Sequence, residues 1–363
     1  MIIYIIAIAL SMICASYAYN VKNIKTLKST YHILCIMAFL PMTLVSAFRY
    51  DVGTDWLIYD EYFYKIAEGT DRFTEPLFNL LNKVIYIFTE DSWWLFAICA
   101  VLIGYFTFRA IMEQSVNPVF SILMLVLNGD YFNSQNQLRQ ALSMAIFLYA
   151  IKYIKSRDWK RYYFFIIVAI CIHTSAIIYV PVYFVYKWKV HLKLLICGSG
   201  AAIIAMPVLS KLVVFVLSKT KYAWYFDSAY NMNNFYLLGF IFTTAVTVLL
   251  VFYWYYGEKH TLQKKESLDE TQDYEFNFMF YMYFLGWASI LFSAVVPQMS
   301  RITTALLIIT TLLIPRMVVR EHKRNRRMAL YLIITSMFLA KLMFDVYHNG
   351  WYDAIPYQSV FSR

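Results

Sequence analysis

Long apolar runs separated by short polar loops recur along the whole 363-residue chain. A run of about 18 or more apolar residues is long enough to cross the hydrocarbon of a bilayer as a helix. The pattern predicts helices near 2–19, 31–48, 93–110, 118–132, 137–154, 194–218, 235–256, 276–296, 301–319 and 328–345. No hydrophilic block is large enough for a soluble domain, so the expected architecture is all-α: one polytopic integral membrane domain over 1–363. Counting shorter elements, about ten to twelve segments are expected to enter the membrane. The first run, "MIIYIIAIALSMICASYA", lacks the basic flank of a secretory leader and is expected to remain as a helix.

Two stretches depart from simple alternation. Tyr162 to Tyr186 has basic loops on both sides, yet it is too short for two full spans. It reads either as one long tilted helix or as a re-entrant pair of half-helices turning at "IHTS", Ile172 to Ser175. The hairpin is the expectation here, although a second break at Met206-Pro207 would restore the parity of the one-helix version. Broken helices are tolerated at membrane depth only where they face protein or a watery cavity. The other departure is the polar loop 49–92, which opens with "FRYDVGTDWLIYDEYF". Further on, "TEPLFNLLNKVIYIF" has a capping Thr74, Pro76 at a first helical position and apolar Leu77, Leu80, Leu81, Val84 and Phe88 at helical spacing. It predicts an interfacial or re-entrant helix within that loop.

Composition supports lipid as the solvent. The chain is 61% hydrophobic and only 15% charged, against about 25% charged for a soluble domain. The net charge of +10 would suit nucleic acid, but most of the 32 Lys and Arg fall in the loops "NVKNIKTLKS", "KYIKSRDWKR", "KWKVHLK", "GEKHTLQKK" and "RMVVREHKRNRR". With the N-terminus outside, all five face the cytoplasm, including the 257–275 loop. The positive charge is then a topology signal, and no nucleic-acid partner is expected. The outer face receives 49–92, 129–137, 219–234, Pro297 to Ser300 and the tail from Tyr347. These are acidic, aromatic and amide-rich, a surface suited to sugars. The five cysteines lie in apolar runs without metal-site spacing and read as small buried hydrophobes.

The polar residues form recognisable groups. After Arg49, Gly53 and Thr54 favour a tight turn that would present Asp51 and Asp55 inward, with Asp55 and Tyr59 on one helical face. Glu75 stands at a helix start. Gln137, Arg139 and Gln140 sit at the outer end of an otherwise apolar helix, where a cation opposes the macrodipole and an anion would relieve the conflict. His173 lies at the expected hairpin turn, with Thr174 or Ser175 able to cap the returning half-helix. Arg301 follows "VVPQMS" at another outer helix start. Arg49, Arg139 and Arg301 together read as one shared anion site, since guanidinium stays charged and grips phosphate in a bidentate fork.

These residues resemble the EpsG family of bacterial exopolysaccharide and O-antigen polymerases, the Wzy-type proteins. The resemblance rests on "FRYDVGTDW" with Tyr59, "EPLF" at 75–78, "QLRQALSMAIFLYA" at 137–150, "HTSAIIYVP" at 173–181, "IPY" at 355–357, and Arg301 before a helix. Trp56 replaces the usual tyrosine after "GTD", and 190–275 carries no matching motif. The resemblance implies a bacterial inner-membrane glycosyltransferase that joins undecaprenyl-pyrophosphate-linked oligosaccharide repeat units on the outer face. It implies pathway partners too: a flippase and a chain-length regulator. Arg139 and Arg301, with Arg49 third, are the expected diphosphate contacts. Asp55, His173 and Glu75 are the candidate general bases. Gly53, Tyr59, Gln137, Gln140, Ser175 and Tyr357 are the remaining candidate substrate contacts. No Asp-X-Asp occurs in the 49–92 loop, so no metal or other cofactor is expected. The alternatives are a glycan ligase or polyprenyl-phosphate-sugar glycosyltransferase, and a flippase of lipid-linked sugars.

Overall fold

A computed structural model describes residues 1–71, 73–188, 200, 204–205, 207–209, 211–216, 218–220, 223, 235–264, 270–293, 296, 298–348, 350 and 353–363. The described residues are all-α. Among the described residues, six helices are long and apolar enough to cross a membrane: Ile2–Val21, Lys25–Ala47, Trp93–Gln114, Leu237–Tyr255, Met299–Val319 and Arg324–His348. Of the helix expected at 194–218, the stretch 194–199 and the break expected at Met206 lie outside the described residues, and 207–209 and 211–216 are helical. Contacts divide the chain into two compact units, one of Met1–Tyr183 with Thr310–Arg363 and one of Phe184–Ile309.

The first unit is built from α1 (Ile2–Val21), α2 (Lys28–Ala47), α3 (Trp56–Glu68), α4 (Pro76–Phe88), α5 (Trp93–Gln114), α6 (Pro118–Leu127), α7 (Asp130–Asn136), α8 (Leu138–Lys155) and α9 (Trp159–Ile172). A 3-10 turn (Thr174–Tyr179), α14 (Thr310–Val319) and α15 (Arg324–Met343) complete it, and the boundary with the second unit falls within the short α10 (Val182–Val185). Alternation of the long helices gives it two chemically different ends. At one end Lys152 and Arg109 share Glu113, Lys22 donates to the Met112 carbonyl at 3.0 Å, and Asn117 donates to the Tyr331 hydroxyl at 3.0 Å. Basic loops cluster there. At the other end the start of α1, the end of α2, α3, α7 and the start of α8 come together.

The tail fastens that second end. Tyr50 donates to the Gln358 carbonyl (3.0 Å) and Val360 to that of Phe48 (2.9 Å), with Arg49 bridged to Ser359. Arg363 grips Asp91 through both terminal nitrogens, at 2.6 and 3.2 Å. Tyr4 of α1 donates to the Ala354 carbonyl.

Two sequence expectations are refined. The helix expected at 118–132 ends at Leu127, because Gly129 takes φ +91°, and α7 restarts from Asp130. At 162–186 the chain doubles back. α9 stops at an extended His173 (φ −153°, ψ 122°), and the return leg runs antiparallel to it. The Tyr162 hydroxyl donates to the Tyr179 carbonyl at 2.6 Å, and the Tyr183 ring lies 5.4 Å from that of Tyr162. A single continuous helix over this segment is therefore not what forms. α4 starts at Pro76, as the pattern predicts, and leaves Leu80, Val84, Ile87 and Phe88 exposed opposite buried Phe78, Asn82 and Ile85.

The second unit has α11 (Leu237–Lys264), α12 (Glu270–Ile290) and α13 (Met299–Leu307). α11 and α12 are tied by Trp287 donating to Thr244 (2.8 Å), and α12 and α13 by a 2.6 Å contact between the Ser289 and Thr303 hydroxyls.

Close approach of α2 to α5 depends on Gly104. A Cβ there would lie 2.3 Å from Thr43 Oγ1 and 2.8 Å from the Phe39 ring. Gly104→Val should lower stability by about 1–3 kcal/mol, as overpacking generally does, read as a lower thermal unfolding midpoint of the purified protein. An unchanged midpoint would mean that the two helices separate without penalty.

Candidate functional site

Three segments distant in sequence meet at one carboxylate. Glu75 precedes Pro76, whose ring fixes the first turn of α4 and needs no hydrogen-bond partner for its nitrogen. Glu75 is only 4% exposed. Its Oε2 accepts from Arg139 Nη1 at 2.8 Å. Its Oε1 accepts from the Thr174 hydroxyl at 2.6 Å and the Thr174 N–H at 3.3 Å, and lies 3.5 Å from His173 Nδ1. The 49–92 loop, the start of α8 and the hairpin turn are thereby joined.

The electrostatics are those of a buried anion with enough donors. Burial alone would raise the Glu75 pKa. Hydrogen bonds from His173 and Thr174, with the charge of Arg139, outweigh that and hold the carboxyl well below the usual carboxylate range. Arg139 stands at the positive end of the α8 dipole, and the anion that relieves this conflict is the protein's own Glu75. One face of the guanidinium is covered by Phe73, with its central carbon 3.8 Å from the ring centroid, and the rings of Tyr59 and Phe78 lie at 5.9 and 5.8 Å. Arg139 Nε and Gln137 Oε1 are buried without a hydrogen-bond partner. Both polar atoms belong to the α7–α8 junction beside this cluster.

The remaining predicted residues fall in three places. Tyr59 belongs to the cluster through its ring. Asp55 begins α3 one turn earlier, half-buried, with its N–H 3.4 Å from Asn136 Oδ1. Asp51, expected to point inward beside Asp55, is instead exposed. Gly53 makes the turn possible: at φ +103° its missing Cβ would lie 2.7 Å from the Gln135 carbonyl oxygen. Gln140 is buried on α8, a turn beyond Gln137. Ser175 is half-buried in the 3-10 turn, and its neighbour Thr174 is the residue that engages Glu75.

Arg49 and Tyr357 lie elsewhere at the same end of the first unit. Arg49 is fully buried, donating to the carbonyls of Ser46 (2.7 Å) and Gln135 (3.2 Å) and resting against Phe96 and Trp56. Its expected contact with a diphosphate is not available in this arrangement, because both terminal nitrogens are engaged and no atom reaches a surface. Tyr357 donates to the Val45 carbonyl at 3.0 Å and packs edge-on against Tyr4. Arg301 belongs to the second unit, where its Nε donates to Gln298 Oε1 at 2.8 Å.

Residues that the sequence did not single out complete the local framework. Phe73 carries no motif, and its role appears only when Arg139 is placed over it. Asn136 accepts from the Thr54 hydroxyl at 2.9 Å and so ties α7 to the loop. It sits inside "NSQNQLRQ", but nothing in the pattern separates it from its polar neighbours. Among the described residues, no group of three His, Cys, Asp or Glu gathers as metal ligands would.

Replacing Glu75 by Gln should cost about 3–5 kcal/mol, because it strips a buried guanidinium of its counter-ion. The sign with pH follows from the depressed pKa. The carboxylate contributes fully above its unfolded pKa of about 4.3 and loses the contribution as pH falls through its lower folded value. Thermal unfolding of wild type and Glu75→Gln should therefore differ by a constant amount near neutrality. The difference should narrow below about pH 4; a gap that widened in acid would contradict the assignment.

Comparison with curated proteins finds no match, and comparison with solved structures finds none either. The family model described as EpsG family matches residues 32–359, which covers Arg49, the Glu75 carboxylate, α8 and the hairpin turn. That span is nearly the whole chain. The chain belongs to the EpsG family.

Proposed function

We propose that this protein is a polysaccharide polymerase that joins undecaprenyl-pyrophosphate-linked repeat units at the outer face of the cytoplasmic membrane. The growing glycan passes from its lipid carrier to the non-reducing end of the next lipid-linked unit. Family membership supports a membrane protein of the polysaccharide-polymerase type. The observation that carries the finer reading is the Glu75 cluster: a cation, an imidazole and an aromatic wall, assembled at the end of the first unit opposite its basic loops. By the positive-inside rule the basic end is cytoplasmic, so the cluster faces outward.

In this reading the acceptor hydroxyl oxygen forms a bond to the anomeric carbon. The bond from that carbon to the diphosphate oxygen breaks, and the electron pair leaves with the diphosphate. Arg139 supplies fixed positive charge where negative charge develops. The acceptor proton goes to His173, and the imidazolium so formed lies against the Glu75 carboxylate. Glu75 itself is a clamp rather than the base, since both its oxygens already hold donors. Tyr59 and Asp55, on one face of α3, meet the sugar ring, and no metal is required.

Reconstitution with a lipid-linked repeat unit tests this directly. Wild type should produce a ladder of polymer on a gel, with or without chelator. Arg139→Ala should slow chain growth by about 10²–10³, by analogy with loss of one transition-state donor, and His173→Gln should also abolish the ladder. Unimpaired polymer from Arg139→Ala, or unit flipping without polymer from wild type, would overturn the assignment. Activity lost in chelator and restored by Mg²⁺ or Mn²⁺ would overturn the metal-free chemistry.

A further inference from the structure

A second concavity lies at the basic end of the first unit, between the start of α2 and the end of α5. It holds about 500 Å³, within the usual range of ligand sites. The helices are in close contact nearer the other end, where Trp93 donates to the Ala47 carbonyl at 3.0 Å and Gly104 meets Thr43. They part below Phe39 and Phe108, whose rings stand 6.1 Å apart and close the inner end. Beyond this the walls are Ile36, Tyr105 and Met112, almost wholly apolar.

The mouth is not neutral. Arg109 and Lys152 both pair with Glu113, so one carboxylate serves two cations. Lys22 reaches the same place, with its Nζ 3.0 Å from the Met112 carbonyl oxygen and no carboxylate within ion-pair distance among the described residues. Three cations against one anion leave a net charge of plus two at the rim of an apolar slot. Neither feature belongs to the Glu75 cluster, which lies at the opposite end.

We propose that this cleft binds an anionic phospholipid, one acyl chain lying between α2 and α5 and the phosphate meeting Lys22 and Arg109. An acyl chain suits the apolar walls, where a soluble anion would leave them wet. A phosphodiester suits the rim, since its single charge is met by a bidentate guanidinium and an ammonium. A zwitterionic headgroup brings its own cation to a site already in cationic excess.

The test uses the full-length protein in detergent. Native mass spectrometry would count lipids retained from equimolar phosphatidylglycerol and phosphatidylcholine of matched chains. Wild type should keep one phosphatidylglycerol at least tenfold in preference. Lys22→Gln with Arg109→Gln should abolish the preference, and Cys35→Trp, which fills the slot, should remove the bound lipid. Lys22→Gln alone changes one exposed side chain, so its expected several-fold loss survives any folding defect in the other variants. Equal retention of the two lipids, retention of phosphatidylglycerol unchanged by these substitutions, or its displacement by inorganic phosphate would overturn the proposal.

Discussion

The arrangement of the first unit depends on neutralising one buried guanidinium. Arg139 is both taken out of water and placed at the positive end of α8, so two electrostatic costs fall on the same group. Glu75 offsets both at 2.8 Å. The carboxylate then carries its own desolvation cost, which Thr174 and His173 offset from the other side. This second requirement explains why α9 ends where it does. In a continuing helix the Thr174 N–H would bond to a carbonyl one turn back, whereas here it is given to Glu75. The hairpin turn, the loop and the helix start therefore stabilise one another, and none holds its position alone.

Arg49 provides a second anchor of a different kind. It carries no carboxylate partner among the described residues and is held by two backbone carbonyls and two aromatic faces. A chain of rings links the two cations: Arg49 rests on Phe96, Phe96 meets Tyr59 edge-on at 6.4 Å, and Tyr59 lies beside Arg139. Trp56 stacks on Phe96 at 3.6 Å, which fixes the base of α3 beneath the turn at Gly53. Trp56 thus falls in a packed aromatic layer. The tail closes this layer from outside through its backbone pairing with Phe48 and Tyr50.

Much of the scaffold was legible in the sequence, because helix spans, the start of α4 at Pro76 and the break at His173 are local signals. Apolar length sets the first, the proline ring the second, and the cluster "IHTS" between two basic loops the third. The functional pairings were not legible. Glu75 and Arg139 are 64 residues apart and Glu75 and Thr174 are 99 apart, so each end reads as an ordinary cap or interfacial charge. The burial of Arg49 was not legible either, because the Gln135 carbonyl that accepts from its guanidinium comes from a different helix. The break between α6 and α7 was missed for a simpler reason: a glycine inside an apolar run is neutral until its φ is known.

In the proposed reaction Glu75 and His173 act as one unit, the carboxylate supporting the imidazole that takes the proton. A double-mutant cycle on the rate of repeat-unit joining measures that coupling, using Glu75→Gln, His173→Gln and the pair. Strong non-additivity is expected, with the double variant no slower than the slower single one. Rate losses that simply multiply would show that the two residues act independently, and would contradict it.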